Sequence, residues 1–469
     1  MKIKTTVERQ AFGLLIDKFL SQVDRDELDT STILKIIDFT QRNIGDKFEG
    51  SEKAFDSARE MLKNPENKWT KLIISTLKNT HPNVRKQIIM NLGFQSMIIE
   101  NKDLPNKKLE FGTQIPWTIL FDPTSDCNKK CIGCWAAKYG HKLNLTYDIM
   151  NKIVTQGKEL GIYFYMMTGG EPLIRKDDII RLAEEHSECY FNIFSNGSLI
   201  DEKLCSELQR VGNITFSLSV EGFESDNDFR RGKGSFVEVS HAMDLLKSYG
   251  IPYGSSLVYT SKNYRTITSD EFLDFLVSKG SVFAWYFHYM PVGKGANTEL
   301  LLTPEQREYV FWRIKEIRAF NSGKPIFTMD FQNDGPTMDG CIAGGRNYFH
   351  INSNGDAEPC VFIHYSDSNI KNMDLIDILK APLFSTYREG QPFNKNHLMP
   401  CPMLENPYEL KKILSKTSAN STDFESKETP EELQAKTIPY AKNWKETANN
   451  LWNKYYINKV HSPQYKSDK

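Results

Sequence analysis

The chain has 469 residues, of which 39% are hydrophobic and 12% aromatic, and it carries 59 basic against 60 acidic side chains for a formal net charge of −1. Such a length can bury a sizeable core in about three domains, or in one large barrel with appendages. The even charge balance argues against a global field suited to nucleic acid or an anionic membrane.

Met1-Lys2-Ile3-Lys4 runs into Glu8-Arg9-Gln10 without an apolar stretch long enough for a signal peptide, and no window approaches ~18 uninterrupted apolar residues. A cytoplasmic protein without a transmembrane segment is therefore expected. Phe12, Leu15, Ile16, Phe19, Leu20 and Val23 follow helical spacing, and Ile33, Ile36 and Ile37 begin a second apolar face. Further helices are predicted around Phe55 to Leu62, Trp69 to Leu77 and Val84 to Met97. Residues 1–112 thus read as an all-helical module whose faces pack on one another or dock a peptide, lipid or partner.

From residue 113 the pattern changes to strands alternating with helices, which argues for a parallel sheet with crossover helices. Strands are predicted at Trp117 to Phe121, Tyr163 to Met167, Tyr190 to Phe194, Ile214 to Val220, Tyr253 to Tyr259 and Phe283 to Tyr289. Helical patterns fall between them, as at Tyr147 to Leu160 and Lys176 to Glu185. Six such units suggest a partial, open barrel.

The loop leaving the first strand carries Cys127, Cys131 and Cys134 in the spacing C-x3-C-x2-C. Three thiolates on one short loop suit three irons of a four-iron four-sulfur cluster, with the fourth iron open to another ligand. A zinc site would want a fourth protein donor, and none is obvious nearby, His141 lying seven residues on beyond Trp135 and Gly140. After the second strand comes Thr168-Gly169-Gly170-Glu171-Pro172, where two glycines let backbone approach a ligand and a carboxylate can accept from an ammonium group.

Together, the three-cysteine loop and the Gly-Gly-Glu-Pro turn resemble the radical S-adenosylmethionine (radical SAM) superfamily, although Gly133 stands where an aromatic residue commonly precedes the third cysteine. The resemblance implies a partial (β/α)6 TIM-like barrel. It also implies a catalytic 4Fe-4S cluster on Cys127, Cys131 and Cys134, S-adenosylmethionine on the open iron, and a reduced flavodoxin- or ferredoxin-type electron donor. Gly169, Gly170, Glu171 and Pro172 would bind the methionine amino group. Ser195 and Asn196, in Ser195-Asn196-Gly197, would lie near the cofactor, Ser219 and Glu221 would bond the ribose, and Arg231 would pair with the cofactor carboxylate, with Arg230 as the other candidate. The stretch Tyr289-Met290-Pro291-Val292-Gly293, with Met290 foremost, would lie beside the adenine.

After a helix predicted from Pro304 to Ser322 come Cys341, Gly355, Cys360 and, in Met399-Pro400-Cys401-Pro402, a last cysteine. Their placement resembles a reduced form of the auxiliary-cluster domains called SPASM or twitch. It implies one auxiliary iron–sulfur cluster on Cys341, Cys360 and Cys401, with His350, His364 or His397 as possible completions. Asp330 and Asp334, just ahead of Cys341, read either as proton-handling acids at the barrel mouth or as a solvated loop. Cys189 and Cys205 stand alone and read as packed thiols. Lys416 to Thr429 reads as flexible, and the helix Tyr440 to Tyr455, with Trp444 and Trp452, as a packed lid.

The sequence is thus read as an α/β chain with a helical module at 1–112, a radical SAM core at 113–322, a SPASM- or twitch-like domain at 323–410 and a helical tail at 411–469. The expected activity is reductive cleavage of S-adenosylmethionine to a 5′-deoxyadenosyl radical that abstracts hydrogen from a substrate, by family analogy a peptide or protein side chain. Radical chemistry on a lipid chain is the second enzymatic reading. A non-catalytic iron–sulfur carrier or scaffold is the reading from another class. No nucleic-acid partner is expected.

Overall fold

The computed structural model describes residues 9–457 apart from 11, 15, 19, 22–29, 45–50, 137–141, 294–295, 320–322 and 426. Leu15, Phe19, Val23 and His141 lie outside the described residues. Within them a nine-stranded sheet runs in the order β7-β6-β5-β4-β3-β2-β1-β8-β9. The strands are β1 Thr118–Thr124, β2 Phe164–Gly169, β3 Tyr190–Ser195, β4 Ile214–Ser219, β5 Tyr253–Tyr259, β6 Ser281–His288, β7 Phe327–Asp330, β8 Tyr348–Ile351 and β9 Ala357–Glu358. All pairings are parallel except that of β8 with β9. The barrel is partial, as expected, but more than six strands build it. A seventh follows β6, and β8 returns from the cysteine-rich region to pair with β1 on the other side.

The strands are buried on both faces, which is why their sequences alternate between two kinds of apolar residue. Ile119, Phe121, Tyr165, Met167, Phe191, Ile193, Phe216 and Leu218 join the core shared with the crossover helices. Leu120, Phe164, Met166 and Tyr190 face the barrel interior, with Phe194, Trp285 and Phe287 half-buried beside them. The helices Tyr147–Leu160 and Lys176–Glu185 span the predicted ranges. The first opens at Thr146, whose side chain accepts from the Ile149 amide, and closes at Gly161 in the left-handed conformation.

The N-terminal region is helical where described, with helices Thr30–Ile44, Ser51–Leu62, Lys68–Asn79, Pro82–Ile88 and Asn101–Phe111 and a π-helical stretch Ile89–Glu100. A small core of Ile16, Leu20, Ile33, Leu62 and Met90 joins these helices. At the other end, Lys416 to Thr429 is pinned rather than loose: Asn420–Ser421 pairs with Tyr365–Ser366, and Asp423 is buried. The final helix Pro430–Leu451 continues as a π-helix Trp452–Ile457 and packs Trp444 over the buried Arg307 guanidinium at 4.2 Å. Among the described residues no helix is long and apolar enough to cross a membrane.

Candidate active site

β1 delivers its C-terminal end to the cysteine loop, and hydrogen bonds fix where that loop starts. Ser125 N donates to Leu143 O at 2.9 Å, and Leu145 N to Pro123 O at 3.1 Å. Cys127 is exposed, Cys131 and Cys134 are half-buried, and none forms a disulfide. The Gly-Gly-Glu-Pro turn is zipped to the backbone just ahead of Cys127: Gly170 N donates to Thr124 O at 2.9 Å and Glu171 N to Asp126 O at 2.8 Å. That contact requires glycine, because a Cβ on Gly170 would sit 2.0 Å from Asp126 O, and one on Gly169 (φ +113°) would sit 2.4 Å from Thr124 O. The turn after β3 grips the loop from its other side, with Asn128 Nδ2 donating to Ser198 Oγ at 2.8 Å and Asn196 Nδ2 donating to Asn128 Oδ1 at 2.9 Å.

Glu171 is buried and holds these turns together. Its Oε1 accepts from Ser195 Oγ at 2.8 Å and Leu173 N at 3.1 Å, and its Oε2 accepts from Asn196 N at 2.8 Å. Burial raises its pKa while those three donors oppose the rise. Most of the carboxylate's capacity is therefore spent on the protein. Glu221, fully buried after β4, receives Arg230 Nη1 and, at 3.0 and 2.6 Å, Arg231 Nε and Nη2 on a single oxygen, Oε1. Arg230 and Arg231 thus share one carboxylate, and Glu221 is committed to them rather than turned toward a ribose. Against the cost of burial, Glu221 and the thiols of Cys131 and Cys134 keep the Arg231 pKa raised, so this guanidinium lies in the field of the loop thiols.

Gly133 has φ +67°, and a Cβ there would meet the Tyr289 ring at 2.6 Å. The aromatic that this loop lacks before its third cysteine is supplied in space by Tyr289, from the end of β6. Tyr289 opens the stretch expected beside the adenine, but its contact with the cysteine loop was not foreseen. Its pairing with a glycine 156 positions earlier in the chain leaves no local signal. Met290 is buried next to it, with Gln332 Nε2 3.6 Å from its sulfur.

The C-terminal cysteines also come together. Cys360 is buried and Cys341 and Cys401 are half-buried, and Tyr348 Oη lies 2.8 Å from Cys360 Sγ and Tyr387 Oη 3.4 Å from Cys341 Sγ. Burial first, then the proximity of all three thiols, pushes both tyrosines up. Burial likewise pushes the Cys360 thiol up to about 12. None of the three histidines considered beside them is presented by the structure as a ligand. His350 is clamped between Asp122 Oδ1 at 2.9 Å and Glu358 Oε2 at 2.6 Å, His364 packs edge-on to Trp135, and His397 lies against Trp452.

Two further expectations are corrected. Asp330 pairs in register with Tyr286, which belongs to the core under the helices, and Tyr259 Oη donates to it at 3.3 Å; it therefore faces away from the barrel interior. Asp334 is held by both Nη atoms of Arg318. Cys189 and Cys205 are fully buried packing groups, as read.

Residues 121–276, which run from the end of β1 through the loop and four further strand–helix units, match the model of the radical SAM superfamily. This segment is a radical SAM domain. Among relatives, it is 26% identical over 249 residues to the Fe-coproporphyrin III synthase of Methanosarcina barkeri, covering 51% of this chain and 62% of that one. It is 27% identical over 293 residues to the PqqA peptide cyclase of Granulibacter bethesdensis, covering 58% of this chain and 76% of that one. The chain thus spans under two thirds of the length of the Methanosarcina synthase. The structure of SuiB from Streptococcus suis bound to its precursor peptide SuiA shares the fold, with TM-score 0.54 at 20% identity over 71% of this chain and 80% of that one.

A radical SAM domain uses a 4Fe-4S cluster and S-adenosylmethionine, and the loop has donors of the right kind. Among the described residues no three His, Cys, Asp or Glu side chains converge on a point fit for one metal ion. A cubane asks for something else, since each thiolate holds its own iron and the sulfurs stand apart.

Proposed function

We propose that the chain is a radical SAM enzyme acting on a peptide or protein side chain. Cys127, Cys131 and Cys134 hold the catalytic cluster, which with S-adenosylmethionine supplies a 5′-deoxyadenosyl radical able to abstract hydrogen. The observation that carries this reading is the pair of backbone hydrogen bonds from Gly170 and Glu171 to Thr124 and Asp126. They put a glycine turn open to close approach directly against a three-cysteine loop. Gly169 to Pro172 offer backbone acceptors to the cofactor ammonium, with Ser195 and Asn196 steadied by Glu171. Arg231 is the group suited to a carboxylate by its planar fork. Because it is bound to Glu221, cofactor and Glu221 compete for it, and Arg230 remains on Glu221 as the second cation. Ser219 at the end of β4 serves the ribose, and Met290 with Tyr289 borders the adenine.

Cys341, Cys360 and Cys401 hold one auxiliary iron–sulfur cluster. Three thiols whose ionisation is opposed by desolvation give up their protons when metal replaces them, so metal uptake there releases protons. The peptide class is supported by the likeness to a PqqA peptide cyclase and to SuiB, whose structure holds its precursor peptide.

Anaerobically reconstituted, reduced protein is expected to release 5′-deoxyadenosine from S-adenosylmethionine, and the Cys127→Ala/Cys131→Ala/Cys134→Ala variant none. No release from a wild type shown to hold its full iron complement, with or without candidate peptides, would leave the carrier or scaffold reading in its place.

A further inference from the structure

A second site lies at the opposite end of the strands. A cavity of about 540 Å³ opens between the helix Asn101–Phe111 and the segments that lead into β1 and β8. That volume is in the range of small-ligand sites. Trp117, whose indole leans on Phe164 at 4.9 Å, forms an apolar floor with Met97, Leu104 and Met338.

Lys108 and Arg346 supply two cations to this cavity, and among the described residues neither is paired with a carboxylate. Arg346 donates only to the carbonyls of Met338, Asp339 and Gly340, and its Nε is buried without a partner. Burial, and after it the charge of Arg346, lowers the Lys108 pKa, so the two cations share one field. Asp339 lines the same rim with φ +52°, a conformation sparsely populated by non-glycine residues. The carboxamides of Gln114 and Asn347 also line the cavity, and among the described residues neither makes a hydrogen bond within the protein.

We infer that this cavity docks an extended peptide segment in which acidic residues alternate with apolar ones. The cations take the carboxylates, the Trp117 floor takes the apolar side chains, and the two carboxamides match a peptide backbone, which a hydrocarbon chain would leave unsatisfied. The inference rests on the peptide reading above and adds a place where the substrate is held. β1 alone spans seven residues, roughly 20 Å, between this cavity and the cysteine loop. The docked segment and the modified residue are therefore separate parts of the peptide, at least about six residues apart.

The test uses full-length, cluster-loaded protein and fluorescence anisotropy with three probes: a labelled octapeptide alternating Glu with Leu, its counterpart alternating Lys with Leu, and oleate as competitor. The acidic peptide is expected to bind at least tenfold more tightly than the basic one. Lys108→Glu, and separately Met338→Asp on the exposed loop, should each weaken it tenfold or more without moving the thermal midpoint. Equal binding of the two peptides, indifference to both substitutions, or displacement by oleate at lower concentration than by unlabelled acidic peptide would overturn the inference. Release of 5′-deoxyadenosine is followed in the same samples, so any of those overturning results with release intact counts against this cavity alone. Absence of release counts against the radical reading instead.

Discussion

At the residue scale the most constrained group is His350. It comes from β8, lies wholly buried, and is gripped by Asp122 at the end of β1 and Glu358 of β9. Against burial, which would lower it, the two carboxylates push its pKa up to about 10. A histidine whose folded-state value lies above the ordinary ~6.5 stabilises the fold fully below about pH 6.5, and that contribution is lost as pH rises toward 10. One pKa unit is about 1.4 kcal/mol, so the clamp on His350 contributes on the order of a few kcal/mol. Urea denaturation of the wild type is expected to show falling stability between pH 7 and 10, and His350→Gln should flatten that slope. An identical slope in the two proteins would show that the imidazole is uncharged throughout.

At the element scale, loops after β1, β2 and β3 form one bonded unit, and glycines decide whether they can meet. Gly170→Ala would force a methyl onto Asp126 O, which is backbone and has nowhere to go. The expected result is loss of at least half the iron held by the Cys127 loop, measured by iron content of a variant lacking Cys341, Cys360 and Cys401. Gly93→Ala is the control: nothing lies within 4 Å of a Cβ there, and replacing a helical glycine stabilises by about 0.5–1 kcal/mol. Full iron retention in Gly170→Ala would mean that the turn and the cysteine loop are not held together as described.

At the scale of the whole molecule, Arg307 ties the barrel to the C-terminal region. It is fully buried on the helix Pro304–Arg318 and reaches Glu405 at 2.7 Å, Tyr440 Oη at 2.9 Å and Leu398 O at 3.2 Å, under the Trp444 ring. Glu405 in turn accepts from Cys401 N at 2.8 Å. Removing one member strands a buried charge, so Arg307→Met is expected to cost about 3–5 kcal/mol in chemical denaturation. Arg307→Met/Glu405→Leu should recover most of that loss, because both charges leave together. A double variant as unstable as the single one would show that packing around Trp444, not charge, sets the cost.

The sequence by itself determined the parts whose signal is local. Spacing on one loop marked Cys127, Cys131 and Cys134, two adjacent glycines marked the turn at 169–172, and periodicity marked the strands from Thr118 to His288, because thiolate spacing, backbone freedom and alternation are short-range properties. What only the tertiary structure decided lies between distant segments. Neither β8 beside β1, Tyr289 over Gly133, the clamp on His350, nor the shared grip of Arg230 and Arg231 on Glu221 has a sequence signature, since each depends on where separate strands end in space. The sequence left Asp330 open between the barrel mouth and a solvated loop for the same reason. A one-residue difference in strand register turns a side chain from the barrel interior to the helix face, and β7 is too short to announce its register.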